Sequence, residues 1–166
     1  SDNALYHTDS FQLSISSLTP NARIYYTTDG SKPTTDSSLY SGPLTISKNT
    51  PVKAIAVADG MLPSDTAAAT FLFEEPHTLP VVCLTIDSAS FEEVYSVTDR
   101  WEKVEREGFC EYYEADGLLG TQFPCGLRVN GASTLTMRQK SLSIFLLPRQ
   151  TEIYLDFSFD IVSAVL

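Results

Sequence analysis

The chain lacks most of the features that would assign it quickly to a function class. No stretch approaches the roughly 18 apolar residues a membrane helix needs, and the mean hydropathy of −0.04 is that of a soluble globular chain. Basic residues are few and scattered, 11 against 21 acidic ones, and the net charge of −10 argues against nucleic acid or an anionic membrane as partner. Both parts share the acidity: residues 1–78 carry four basic and eight acidic residues, residues 79–166 seven and thirteen. Cysteine is absent before Cys83 and tryptophan before Trp101. Cys83, Cys110 and Cys125 have no metal-ligand spacing, and His7 and His77 have no metal partners in sequence, so no metal site is expected. Nor does the chain contain a phosphate-binding glycine loop, a nucleophile elbow, a zinc-protease helix motif or a dinucleotide fingerprint. The opening Ser1-Asp2-Asn3 has neither a charged n-region nor an apolar h-region, so the expectation is a mature piece of a larger protein.

The most informative stretch present is Ile24-Tyr25-Tyr26-Thr27-Thr28-Asp29-Gly30-Ser31-Lys32-Pro33. An apolar and aromatic run stops at Asp29-Gly30, a strong tight-turn signal because glycine takes positive φ without a steric penalty, and Pro33 fixes the next bend. Asp29, Gly30 and Pro33 are therefore read as structural turn residues. Upstream, Phe11, Leu13 and Ile15 alternate with polar residues as a half-buried strand does. Residues 23–28, 43–47, 51–58 and 67–73 supply four more strands, separated by turn signals at Pro20-Asn21, Gly42-Pro43 and Asp59-Gly60. Short strands with regular turn chemistry predict an antiparallel, immunoglobulin-like sandwich over residues 1–74. Glu74-Glu75-Pro76-His77-Thr78 reads as a linker too brief to let its two sides swing apart.

Residues 79–166 read as a small β-rich α+β segment. Leu79–Ile86 is apolar on both faces and predicts a central strand. A short helix is predicted over Ser88–Val97, with Ser88 or Ser90 as N-cap and Glu92 and Glu93 in the first turn. Residues 105–114 and 125–129 flank Ala115-Asp116-Gly117 as a hairpin, and residues 140–147 form a further strand. Cys83 lies inside an apolar strand as a buried, inert thiol. Cys110 and Cys125 flank the turn; a disulfide between them is open, with two free thiols the expected state. The tail alternates Ile153, Leu155, Phe157, Phe159 and Ile161 with polar residues. Residues 152–162 are thus expected either to complete a sheet or to mediate a symmetric dimer.

The Tyr-Thr-Thr-Asp-Gly-Ser segment, followed by Tyr40-Ser41-Gly42-Pro43 and Val52-Lys53-Ala54-Ile55-Ala56, resembles the signature of the chitobiase/β-hexosaminidase C-terminal-like β-sandwich. Such modules accompany enzymes and are not themselves catalytic. In the second part, Leu79-Pro80-Val81-Val82, Glu111-Tyr112-Tyr113-Glu114-Ala115-Asp116-Gly117, Gly126-Leu127-Arg128-Val129-Asn130-Gly131 and Gln139-Lys140-Ser141 resemble, in order, the N-terminal part of a spore-coat CotH-type atypical kinase domain. The resemblance implies ATP and a divalent metal for a full-length parent. It also makes Lys140, and secondarily Arg128, nucleotide-facing cations, against the alternatives of a solvated strand lysine and ordinary salt bridges. No segment matches the family's larger lobe, which carries the metal-holding acids, and Thr134 stands where the family has an arginine. The chain alone is thus expected to be inactive and cofactor-free, since phosphoryl transfer needs metal neutralisation as well as positioning.

The expectation is a non-catalytic accessory fragment of a secreted bacterial protein, extracellular or at the cell surface, partnered by the rest of its parent. The rival is a carbohydrate-binding or adhesion module facing a cell-surface polysaccharide or protein, with Tyr25, Tyr26 and Tyr40 as a stacking platform. Adjacent Tyr25 and Tyr26 must point to opposite sheet faces, so one of them belongs to a core. Asp29 and Asp36 could ligate Ca²⁺, but without an ion-loop spacing Asx turns are the expected use of both. Trp101 is read as an anchor between the parts or the cap of a small core.

Overall fold

A computed structural model describes residues 4–146, except 75, 77 and 132. The fold is mostly β. Six strands make the first part: β1 (Phe11–Leu13), β2 (Arg23–Thr27), β3 (Ser38–Leu39), β4 (Leu44–Ile46), β5 (Thr50–Val57) and β6 (Ala67–Phe71). All pair antiparallel, in a two-stranded sheet β1-β4 and a four-stranded sheet β3-β2-β5-β6. The expected strands are there with ends displaced by a residue or two. β3, only two residues long, gives no readable alternation and was not expected.

The second part has β7 (Val81–Thr85), α1 (Ser88–Tyr95), β8 (Arg106–Tyr113), β9 (Leu119–Asn130), a 3-10 turn at Ser133–Thr136 and β10 (Ser141–Leu146). Its antiparallel sheet has the order β10-β9-β8-β7. The hairpin turns at Asp116-Gly117 as expected: Gly117 has φ +80°, and Asp116 accepts from the Leu118 amide at 3.0 Å. β9 is far longer than the expected residues 125–129, because Pro124 lies inside it rather than ending it. β8 pairs with residues 119–127 and β10 with residues 125–130, so among the described residues Pro124 has a strand neighbour in β8 alone. Pro51 uses the same device in β5, where β6 pairs with residues 50–54 and β2 with residues 53–57. A proline that owes no ladder hydrogen bond can stay in a strand.

The helix cap corrects the sequence expectation. Asp87 is the N-cap, with extended φ/ψ of −69° and 151°, and its carboxylate accepts from the Ser90 amide at 2.9 Å. Neither Ser88 nor Ser90 caps, and no acidic residue occupies the first turn, because the helix starts where Asp87 places it. Its inner face carries Val94, fully buried among Val129 and Leu135.

Alternation then decides what faces what. Val52, Ile46 and Phe71 form the core between the two sheets of the first part. Val52 and Phe71 turn inward, so their neighbours Pro51, Lys53 and Thr70 point to the opposite face of the same sheet. That face meets the second sheet. In β7 and β8 the residues on the meeting side include Cys83, Glu111 and Tyr113. Leu84, Cys110, Cys125, Leu127 and Ile144 form a separate core on the other side, with Phe91 of α1 packed against it. β5 is consequently buried along Thr50–Ile55 on both faces.

Candidate functional site

The joint between the two parts is the most highly organised polar region of the described residues. Glu111 is 1% exposed, and its carboxylate accepts three hydrogen bonds. Two come across the joint, from the Thr70 amide at 3.0 Å and the Thr70 hydroxyl at 2.5 Å, and one from the Tyr113 hydroxyl at 2.8 Å. Lys53, 6% exposed, donates within its own part to the Gly30 carbonyl at 2.7 Å and across the joint to the Thr85 carbonyl at 3.2 Å. Burial pushes the Lys53 ammonium below the usual lysine range, while the neighbouring Asp87, Glu111 and Asp29 pull it back toward the charged form. Burial and the adjacent Glu111 carboxylate push the Tyr113 hydroxyl well above its ordinary range, so it stays a hydrogen-bond donor.

Apolar and steric contacts reinforce the joint. Leu5, Leu72, Cys83 and Tyr113 form one buried cluster drawn from both parts. Gly30, at φ +81°, lies so close to β7's end that an added Cβ would sit 2.5 Å from the Ile86 carbonyl oxygen. The Asp29-Gly30 turn opens the ten-residue connection from β2 to β3 rather than closing a tight hairpin, and its glycine is the contact point between the parts. Asp29 accepts from the amide and hydroxyl of Ser31 at 3.0 and 2.6 Å, an Asx turn that holds its carboxyl below the usual range. Pro33 is buried beside this turn. At the rim Lys32 and Glu107 make an exposed ion pair at 2.8 Å.

The residues singled out from sequence fall in different places. Lys140 precedes β10 rather than lying within it, and its ammonium donates to the Tyr95 and Val97 carbonyls at 2.6 and 2.7 Å. Those are carbonyls at the end of α1, where a helix leaves acceptors unsatisfied and favours a cation. The Tyr95 hydroxyl accepts from the Lys140 amide at 3.0 Å and donates to the Arg138 carbonyl at 2.9 Å, locking the arrangement. Arg128 lies over the Phe145 ring at 4.6 Å, on the sheet face opposite the α1 core. Lys140 and Arg128 are thus engaged separately and are not brought to a shared pocket.

The three tyrosines are divided too. Tyr26 and Tyr40 meet edge to face at 6.4 Å on the inner side of the first part, and the Tyr40 hydroxyl accepts from the Ile15 amide at 3.1 Å. Tyr25, paired with Ile55, faces the other way, so the three make no common platform. Trp101 neither anchors the parts nor caps a core: it is 74% exposed beneath the Arg100 guanidinium, 4.5 Å from its ring centre. Cys83, Cys110 and Cys125 are all free and buried, with burial raising their thiols to about 12, 11 and 12. No group of three or more His, Cys, Asp or Glu side chains among the described residues could hold a metal ion. No helix among them is long and apolar enough to cross a membrane. Residues 152–162 lie outside the described residues.

Sequence reasoning passed over Lys53 and Glu111. Each is a charge inside an otherwise apolar strand, Pro51–Ala58 and Phe109–Tyr113, and charges are almost never fully buried without partners. That incongruity was the available signal.

Residues 13–71 match the family model described as Fn3 associated. The match runs from β1 to β6 and covers just over a third of the chain, stopping before the second sheet. It supports a β-sandwich-related, accessory and non-catalytic module in that span. No curated protein and no solved structure matches the chain.

Proposed function

We propose that this chain is a non-catalytic positioning module of a secreted or cell-surface bacterial protein. In this reading the sandwich holds a fixed orientation to the opening strands of a CotH-type, atypical kinase-like domain. The observation that carries it is the buried joint. A flexible spacer would not bury at its junction a carboxylate that takes two donors from Thr70 and a lysine that reaches across to the Thr85 carbonyl. Inter-domain contacts that are small and exposed permit motion, whereas an enclosed and hydrogen-bonded one resists it. The second-part identity rests on the ordered motifs at residues 79–85, 111–117, 126–131 and 139–145. ATP and a divalent metal would then belong to other segments of the parent protein, the chain's first partner.

Incubation with labelled ATP, Mg²⁺ or Mn²⁺ and a Ser-rich or acidic acceptor is expected to give no phosphoryl transfer above a heat-denatured control. Lys140→Ala is expected to loosen the end of α1 without changing that result. Transfer that the wild-type chain supports and Lys140→Ala abolishes would overturn the non-catalytic reading.

A further inference from the structure

We infer that the open cleft at the edge of the first part, where the end of β2, β4 and the start of β5 meet the start of α1, is a binding site for an uncharged oligosaccharide. The inference goes beyond the positioning role, which depends on the joint and not on this cleft. The cleft has a volume of about 660 Å³ and is bounded by β2, β4, the β4–β5 turn and the start of α1. That volume falls within the range of small-molecule sites, about 300–1,000 Å³.

Three features fix the chemistry of the occupant. The lining alternates an apolar surface, Tyr26, Pro43 and Leu44, with short hydroxyl and amide side chains such as Thr28, Ser47 and Asn49. A sugar ring presents the same mixture, C–H faces and equatorial hydroxyls. Tyr26 is also held in place: its ring meets Tyr40 edge to face, and Tyr40 is pinned by the Ile15 amide. An aromatic wall whose rotamer is already set loses little entropy on binding. Finally, the charges nearly cancel within the cleft, where Asp29 and Lys48 are the ionised lining residues, and the chain as a whole carries −10. A polyanion would be repelled at long range, and no cationic cluster among the lining residues would compensate. The Asn49 side-chain oxygen accepts from the Phe73 amide at 2.6 Å, which leaves its amide hydrogens as donors. Asp29 uses Oδ1 on Ser31, which leaves Oδ2 as an acceptor. Ser88 belongs to the second part, so the cleft is complete only when the two parts are docked.

The test is an amide-resolved NMR titration of the whole chain with cellohexaose, xylohexaose and, as the acidic arm, a galacturonic acid hexamer. The expected result is saturable shifts with a neutral hexamer, at a Kd of about 1 mM or tighter, centred on Tyr26, Asp29, Ser47 and Ser88. Tyr26→Leu should weaken that binding about tenfold or more. Ser47→Arg, which fills the cleft from an exposed position, should abolish it while leaving the remaining spectrum and the Tm unchanged. The proposal is overturned by an absence of shifts with both neutral hexamers, by preference for the acidic hexamer, or by wild-type affinity in Ser47→Arg.

Discussion

The two faces of the β3-β2-β5-β6 sheet are equally buried and oppositely built. Adjacent residues make the comparison sharp: Phe71 and Thr70 are each 2% exposed, yet one enters an apolar core and the other donates twice to a carboxylate. On the inner face Val52 and Phe71, with Ile46 of the facing sheet, gain by leaving water, about 1.5–3 kcal/mol for each fully buried side chain, with little directional demand. On the outer face Lys53 and Glu111 lose their hydration and recover it only if each donor meets its acceptor. An apolar face specifies that something must cover it; a polar seam specifies what, and in which register. The inner face therefore makes the sandwich, and the outer face fixes the orientation of the second sheet.

The largest effects should come from deleting one residue on each face. Glu111→Ala should cost about 3–5 kcal/mol, because it leaves the Thr70 and Tyr113 donors unmatched and Lys53 with less compensating charge. Phe71→Ala should cost a similar amount, about 3–5 kcal/mol, through the cavity it leaves. The two should differ in kind. Urea unfolding followed by Trp101 fluorescence and by circular dichroism should stay coincident in Phe71→Ala and diverge in Glu111→Ala, where the parts separate. Coincident curves in both variants would erase the distinction.

Gly30→Val strikes the joint from the sandwich side. The residue must hold φ +81° and would push its Cβ against the Ile86 carbonyl. A loss of about 3 kcal/mol is expected, the upper end for a strained backbone position, measured by chemical denaturation. A loss below half of that would mean the joint yields easily.

The alkaline limb probes burial on both faces of the second sheet. The thiols of Cys83, Cys110 and Cys125 are raised to about 12, 11 and 12, from about 9 in the unfolded chain. The folded state thus keeps protons that the unfolded state releases, and the stability present below pH 9 is lost as pH rises toward 12. Lys53, whose value is lowered by burial, works in the opposite direction below about 10.5. The three thiols should prevail, three protons released on unfolding against at most one bound by Lys53, with a fall of about 2–3 kcal/mol per pH unit once pH passes 9. Scanning calorimetry between pH 8 and 10.5 checks this, and a flat profile would contradict it. The smallest effect belongs to the rim: with Lys32 and Glu107 67% and 62% exposed, Lys32→Ala should cost under about 1 kcal/mol.

Much of the fold was legible in the sequence, and the reason is periodicity. Phe11 and Leu13 show plain alternation, and the run ending at Asp29-Gly30 and the hairpin at Asp116-Gly117 add a glycine at positive φ, both local signals. The helix was legible but its cap was not, since Asp87, Ser88 and Ser90 are all capping types and geometry alone selects Asp87. β9 begins well before the expected residues 125–129, because Pro124, of a type that central strands rarely hold, pairs within it opposite Phe109 of β8. The joint was the least legible part. Lys53 and Glu111 are separated by 58 positions, and their partners Thr70, Thr85 and Gly30 carry no mark of the role. The tyrosines failed as a platform for a reason alternation does supply: Tyr25 and Tyr26 are neighbours in β2 and face apart.

The measurement that tests the central claim most directly is differential scanning calorimetry of the whole chain beside Glu111→Ala. A joint that makes one cooperative unit predicts a single wild-type transition with calorimetric and van't Hoff enthalpies equal, and two resolved transitions in the variant. Two independent transitions in the wild-type chain, or a single undiminished transition in Glu111→Ala, would contradict it.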